Sequence, residues 1–367
     1  MNSGRKRVLF ILPSWIGGGG GAERVFSVLL QHFDRERFEL HLAAAQGRNA
    51  HLDDVPADVV VHELNVSRMR YALPAIIRIV RKIKPQTVLS TVVHLNVLLM
   101  LARPFLPRGT RLLLREGIIP SAFIAHDTRW PQLWAWFYGH LYKKADRIIC
   151  LSDSMMNDFV DHFGLARQKL VRIYNPVDAE KVRNLADTQG NPYSGPGPHL
   201  ITVGRLQRQK GMDVLLDAMP AVLAALPDAW LTILGEGPLE SELKEQAARL
   251  GLKEEVSFLG FQSNPWPYIK YATLFVLPSR FEGLPNTLLE VLALGKNVVV
   301  TDCPGGIQEI QDAVRSMILV PPENPEALAH AIIAALQKPM ADDVKRFDQA
   351  LGKFDLQNAV AAYAALL

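Results

Sequence analysis

Short runs of β-branched and aliphatic residues alternate with helix-period segments from one end of the chain to the other. In the first half the runs fall at 8–12, 40–44, 59–62, 87–91, 111–114 and 147–151. In the second half they fall at 200–203, 230–234, 256–259, 274–277, 298–301 and 317–320. The runs are nearly continuous in apolar character, as expected for strands buried on both faces, and helices separate them. The pattern predicts α/β architecture: two Rossmann-like, doubly wound units with parallel sheets. One stretch breaks it. DTQGNPYSGPGP, 187–198, is rich in Gly, Pro and Ser and lacks periodicity, so it reads as a linker. It divides the chain into an N-terminal unit over 1–186 and a C-terminal unit over 196–340. An alanine-rich helical pattern over 344–367 follows with no strand after it, and is expected to pack back on the first unit.

At 367 residues the chain exceeds one ordinary core, which agrees with two units. Its formal net charge of +3 is too balanced to argue for a nucleic-acid partner. Cys150 and Cys303 are the two cysteines, and neither stands in a C-x-x-C pair. That argues against a disulfide framework and a structural zinc site, and fits a reducing compartment. The opening MNSGRKR has the basic start of a signal peptide, but the apolar VLFILP after it is too short for a signal core and reads as a buried strand. No run approaches the roughly 18 apolar residues that span a bilayer.

Three loops carry candidate chemistry. WIGGGGGAERV follows the first strand run, with Gly18, Gly19 and Gly20 at its centre and a helix pattern of Val25, Phe26, Leu29 and Leu30 behind it. A loose G-x-G-x-x-A match invites a dinucleotide site, but the second strand run ends in LAAAQG with no carboxylate for a ribose. A close-approach anion loop or a plain glycine turn remains. VGRLQRQKG places Gly204, Arg205 and Lys210 after a buried strand, a planar fork and a point charge suited to a diphosphate. SRFEGLPNTLLEVLALG sets Glu282 in a loop and Glu290 in the helix that follows, with Pro285 at its first position and Gly295 at its C-cap. The backbone amides around Leu284 to Thr287, with Asn286 among them, would then form an exposed helix N-terminus for an anion. Carboxylates repel phosphate and accept from vicinal hydroxyls, so the two glutamates suit sugar and ribose. Taken alone, they also suit solvated surface charge.

The stretches GGGAERV, IYNPVD, VGRLQRQKG, LGEGPLESEL, SNPWPYI, LPSRFEGLPNTLLEVLALG and TDCPGGIQEI together resemble the retaining glycosyltransferases of family 4, over nearly the whole chain. The resemblance implies the GT-B fold, two Rossmann-like domains facing a central cleft. It implies that Glu290 holds the donor ribose, that Glu282 contacts the donor sugar, and that Arg205 and Lys210 neutralise the leaving diphosphate. Gly235 and Gly237 would border the base. A nucleotide-sugar, expected to be a UDP-sugar, is a substrate rather than a cofactor. The chain contains no D-x-D pair, so no metal is expected. One departure stands in LLLREGIIP, where Gly117 follows Glu116 in place of the usual His or Arg. Glu116 reads either as an acceptor-side group or as a buried partner of Arg115, and His94 either as an acceptor-side group or as a structural histidine.

RMRYALPAIIRIVRKIKP sets Ile76, Ile79, Val80 and Ile83 on one helical face and Arg78, Arg81, Lys82 and Lys84 on the other. This fits a helix lying on an anionic membrane surface, or a domain helix with a solvated basic face. RWPQLWAWFYGHLYKK crowds Trp130, Trp134 and Trp136 together, as in an interfacial belt or an acceptor cleft. With the resemblance, these favour a cytoplasmic protein, peripheral on the inner face of the membrane, acting on a lipid-linked or polysaccharide acceptor in surface-glycan assembly. A sugar-nucleotide epimerase on the same fold and a non-catalytic nucleotide-sugar-binding partner are the alternatives.

Overall fold

The structure is a computed structural model and describes residues 4–14, 21–46, 55–66, 69–338 and 344–367. The first sheet contains β1 (Lys6–Ser14), β2 (Phe38–Gln46), β3 (Val60–Glu63), β4 (Thr87–Thr91), β5 (Arg111–Arg115), β6 (Arg147–Cys150) and β7 (Leu170–Arg172). The second contains β8 (His199–Val203), β9 (Trp230–Leu234), β10 (Val256–Phe258), β11 (Leu274–Leu277), β12 (Val298–Thr301) and β13 (Ile318–Val320). Their orders are β3-β2-β1-β4-β5-β6-β7 and β10-β9-β8-β11-β12-β13, and the described pairings are parallel.

Every residue of β4, β11 and β12 is buried, as a sheet covered by helices on both faces requires. The apolar runs locate all strands but β7 to within two residues at either end. β7 has three residues, from buried Leu170 to exposed Arg172, and is too short to stand out as a run.

The chain packs as two compact units, residues 1–176 with 356–367, and residues 177–355. The division therefore falls inside IYNPVD, ahead of the Gly/Pro linker. The helix Ala179–Ala186 belongs to the second unit, where Arg183 Nε donates to the carbonyl of Ala293 at 2.9 Å and Arg183 pairs with Asp348. Of the terminal helical pattern, only 356–367 joins the first unit. Helix Leu356–Leu366 buries Ala359, Val360 and Tyr363 in the core that holds Phe10 and Phe26. Helix Val344–Ala350 stays with the second unit.

In each sheet the winding reverses once, between β1 and β4 and between β8 and β11. Ligands of open α/β sheets bind beyond the carboxyl ends of the strands at such points.

Candidate active site

The loops that leave β8 and β11 carry the second unit's charged motifs to its switch point. Lys210 Nζ lies 2.6 Å from Glu282 Oε1. Ser279 Oγ donates to the same oxygen at 2.6 Å, and Gln209 Nε2 reaches Glu282 Oε2 at 3.4 Å while donating to the Phe281 carbonyl at 2.9 Å. Glu282 is only 4% exposed, a burial that a carboxylate tolerates when donors surround it. The two loops touch at the backbone. At Gly211, with φ of +63°, a Cβ would stand 2.0 Å from the Pro278 carbonyl oxygen, so only glycine permits the approach.

Arg280 fastens the same loops from behind. Its Nη1 and Nη2 bond the two carboxylate oxygens of Asp213 at 2.7 Å each. Nη1 also donates to the Arg208 carbonyl at 2.8 Å, and Nε to Glu323 at 2.6 Å. Its backbone N–H donates to the Gln209 carbonyl at 2.8 Å. Arg205 stands exposed on the β8 loop. The Gly204 N–H bonds the Leu234 carbonyl at 2.9 Å, which draws in the β9 exit. There Gly235 and Gly237 lie so close to the backbone of Gly204 and Leu206 that a Cβ would come to 2.0 and 2.2 Å.

The helix after this loop runs Asn286–Ala293, with Pro285 as its N-cap rather than its first residue. Leu284 and Pro285 are buried, and Asn286 and Thr287 half-buried, so this N-terminus is less open than the sequence suggests. Glu290, one turn after Asn286 and 7% exposed, accepts a hydrogen bond from Trp266 Nε1 at 3.0 Å. Burial first, and then the charge of Glu282, push the nearby Cys303 thiol up to about 12, so it is no nucleophile.

In the first unit, Gly18, Gly19 and Gly20 lie outside the described residues. The exit of β4 contains Val92 at φ +73°, a costly conformation for a β-branched residue, placed at that sheet's switch point. His94 follows on the helix Val93–Ala102, its ring edge-on to Trp134 at 4.8 Å and to Phe123 at 6.2 Å. The residue is exposed, yet this apolar flank lowers its pKa. Trp130 stands apart, 70% exposed.

Glu116, at the exit of β5, is fully buried. Tyr142 Oη donates to its Oε2 at 2.8 Å, Asn96 Nδ2 reaches the same oxygen at 3.5 Å, and the Gly117 N–H meets Oε1 at 3.3 Å. Burial raises its pKa to about 7, against the lowering effect of these donors and of Arg115. Arg115 turns to other partners, Thr91 Oγ1 at 3.0 Å and Asn175 Oδ1 at 2.5 Å. A carboxyl sealed in this way does not meet an acceptor from solvent, and its hydrogen-bond partners are not those of an Arg115 ion pair.

Two sequence families match this chain. Residues 19–181 match Glycosyltransferase Family 4, and residues 197–338 match Glycosyl transferases group 1. Together they reach over most of both units. The chain belongs to the family 4 glycosyltransferases. An N-acetylgalactosaminyltransferase of Campylobacter jejuni, whose full name gives an N-acetylgalactosamine-N,N'-diacetylbacillosaminyl-diphospho-undecaprenol substrate, is 28% identical over 331 residues, covering 87% of this chain and 88% of that protein. The lipopolysaccharide core mannosyltransferase LpsB of Rhizobium meliloti is 41% identical over 104 residues, 27% of this chain and 30% of that protein. The solved structure of Anabaena HepE in complex with UDP-glucose superposes with a TM-score of 0.76 at 19% identity, covering 98% and 100% of the two chains, and shares the GT-B fold.

The sequence names Lys210 and Glu282, which meet at the switch point, and does not reveal the side chains that support them. Ser279, Gln209, Arg280 and Trp266 all lie inside the quoted motifs. The signal that could have found Ser279 and Arg280 is their adjacency to Glu282 at a strand exit. Nothing in the sequence pairs Trp266 with Glu290, which stands 24 residues on.

The basic helix packs within the first unit. In Leu73–Ile83, Ile76, Val80 and Ile83 are buried, while Arg78, Arg81 and Lys82, and the C-cap Lys84 after them, are exposed. Its apolar face is used inside the first unit, so it does not lie in a bilayer on that face. Among the described residues no helix is long and apolar enough to cross a membrane.

Proposed function

We propose that this glycosyltransferase moves a hexosyl or N-acetylhexosaminyl group from a UDP-sugar to a lipid-linked or polysaccharide acceptor, with retention at the anomeric carbon and without a metal ion. The observation that carries this reading is the Lys210–Glu282 pair at the β8/β11 switch point, with Glu290 in the next helix. In the reaction, the bond from the anomeric carbon to the diphosphate oxygen breaks and the acceptor oxygen bonds to the same face of that carbon. The electron pair of the broken bond stays on the leaving phosphate oxygen, which takes the acceptor proton. Charge developing on that phosphate meets Lys210, Arg205 and the amides that open the Asn286–Ala293 helix, fixed cations and dipoles of the kind that stabilise a transition state most. Glu282 accepts from a hydroxyl of the transferred sugar, and Glu290 from the ribose.

The Campylobacter relative, matched over most of both chains, supports a lipid-diphosphate-linked acceptor, and the HepE complex supports a UDP-sugar donor. The missing D-x-D pair supports charge neutralisation by side chains. Contact with an anionic membrane fits the exposed Trp130, Leu133 and Trp136 together with the exposed basic face of Leu73–Ile83. Flotation with vesicles of neutral and anionic lipid checks this part, with binding to the anionic ones alone expected.

The deciding experiment incubates the protein with a panel of nucleotide-sugars and an undecaprenyl-diphosphate-linked sugar in excess chelator. A glycosylated lipid with the donor's anomeric configuration, read by mass and by NMR coupling, is expected. Epimerised donor, binding without turnover, inversion, or a loss reversed by added metal each overturn the corresponding part.

A further inference from the structure

Glu290 is the residue assigned above to the ribose, and its geometry depends on a second side chain. The terminal torsion of a glutamate is broad and nearly two-fold, so a carboxylate with no fixed donor samples many rotations. Here the indole of Trp266 donates from Nε1 to Oε2 at 3.0 Å, and indole N–H is a donor only. Both partners are nearly buried, 8% and 7% exposed, so the bond is charge-assisted and weakly challenged by water. The residue that carries the indole is itself held. The Trp266 backbone N–H donates to Asn264 Oδ1 at 3.3 Å, and Asn264 Nδ2 is anchored on the Leu185 carbonyl at 2.9 Å and on Thr188 Oγ1 at 3.1 Å. Pro265 and Pro267 flank it and fix the backbone angles on either side. A carboxylate offers about four lone-pair positions, so it can accept from the indole and from other donors at once.

We infer that Trp266 is a positioning residue that gives the site its selectivity for ribonucleotides, by holding the Glu290 carboxylate in the rotation that meets the ribose hydroxyls. The inference rests on Glu290 being the ribose ligand, and the test separates the two.

Calorimetric titrations with UDP and with 2′,3′-dideoxy-UDP give the ratio of their affinities. The wild-type protein is expected to prefer UDP by about tenfold or more, the effect of hydrogen bonds to a charged group. Trp266→Phe keeps an aromatic ring and removes the donor. It is expected to weaken UDP several-fold and leave the dideoxy ligand unchanged, so that the ratio collapses. Glu290→Gln is expected to collapse it as well. Where Trp266→Phe perturbs folding, replacement of Trp266 by benzothienylalanine, an isostere with sulfur in place of N–H, decides the matter. A ratio unmoved by Glu290→Gln overturns the ribose assignment and with it the inference. A ratio that Glu290→Gln collapses and both Trp266 replacements preserve overturns the role of Trp266 alone. Equal weakening of both ligands by the isostere shows a packing role and also overturns it.

Discussion

Lys210 and Glu282 close a 2.6 Å ion pair between two loops that lie 72 residues apart in sequence. Neither charge is placed by its own strand alone. The glycine at 211 and the fork of Arg280 bring the loops together, and the pair is their meeting point.

Lys210→Met is expected to lower kcat with the full donor by about 10²–10³-fold, the usual effect of deleting one preorganised group that meets transition-state charge. It also leaves a nearly buried carboxylate without its ammonium, at a stability cost of about 1–3 kcal/mol. In the double variant Lys210→Met with Glu282→Gln, the melting temperature is expected to recover and the rate is not. Thermal melts and initial rates check both, and recovery of the rate contradicts the assignment.

The two glutamates are expected to separate by ligand. Glu290→Gln weakens free UDP and UDP-sugar alike, by about tenfold or more. Glu282→Gln leaves free UDP within a few-fold of wild type and lowers the rate with donor, as the proposed contact to the transferred sugar requires if it strengthens while the phosphate departs. Calorimetry with UDP beside initial rates tests the division. Equal loss of UDP affinity in both, at unchanged melting temperature, would refute it.

Arg280→Lys keeps the charge and loses the planar fork on Asp213. The loop that carries Lys210 is then held less firmly, and kcat is expected to fall about tenfold with a smaller change in KM. If Arg280 acts through Lys210, the same substitution made on Lys210→Met costs little further rate. Additive losses in that cycle count against it.

Glu116 gives the protein a pH dependence of stability. Its folded pKa of about 7 lies above its ordinary value of 4.5, so between these limits the folded state binds more protons than the unfolded chain. Its contribution is fully present below about pH 4.5 and is lost as pH rises through 7. Glu116→Gln removes the ionisation. Relative to wild type, the variant is expected to gain stability from pH 5 to pH 8, by roughly 3 kcal/mol at most. Melting curves for the two proteins across that range check the sign. A difference that does not change with pH rejects it.

The strands were legible because each buried run is apolar without interruption, and the charges of the site were legible because they follow such runs. β7 was lost because three residues on a sheet edge carry no period. Pro176 was lost as the division because Gly and Pro mark where a chain is exposed, whereas the units part where packing changes. Arg280 reads as a surface cation until Asp213 and Glu323 are seen on either side of it. Glu116 could be read two ways because a strand exit adjoins both ligand and core, and its Tyr142 and Asn96 partners come from distant segments.

The return of residues 356–367 to the first unit has a consequence during synthesis. The second unit is encoded as an insertion between two parts of the first. At roughly 5–20 residues per second, the ribosome spends on the order of 10–40 s on that insertion. Throughout this interval the apolar surface that Val360 and Tyr363 will cover has no helix Leu356–Leu366 to cover it. The second unit can therefore finish folding first, and the unit whose synthesis began earlier is completed only by a helix made after the second unit has been synthesised.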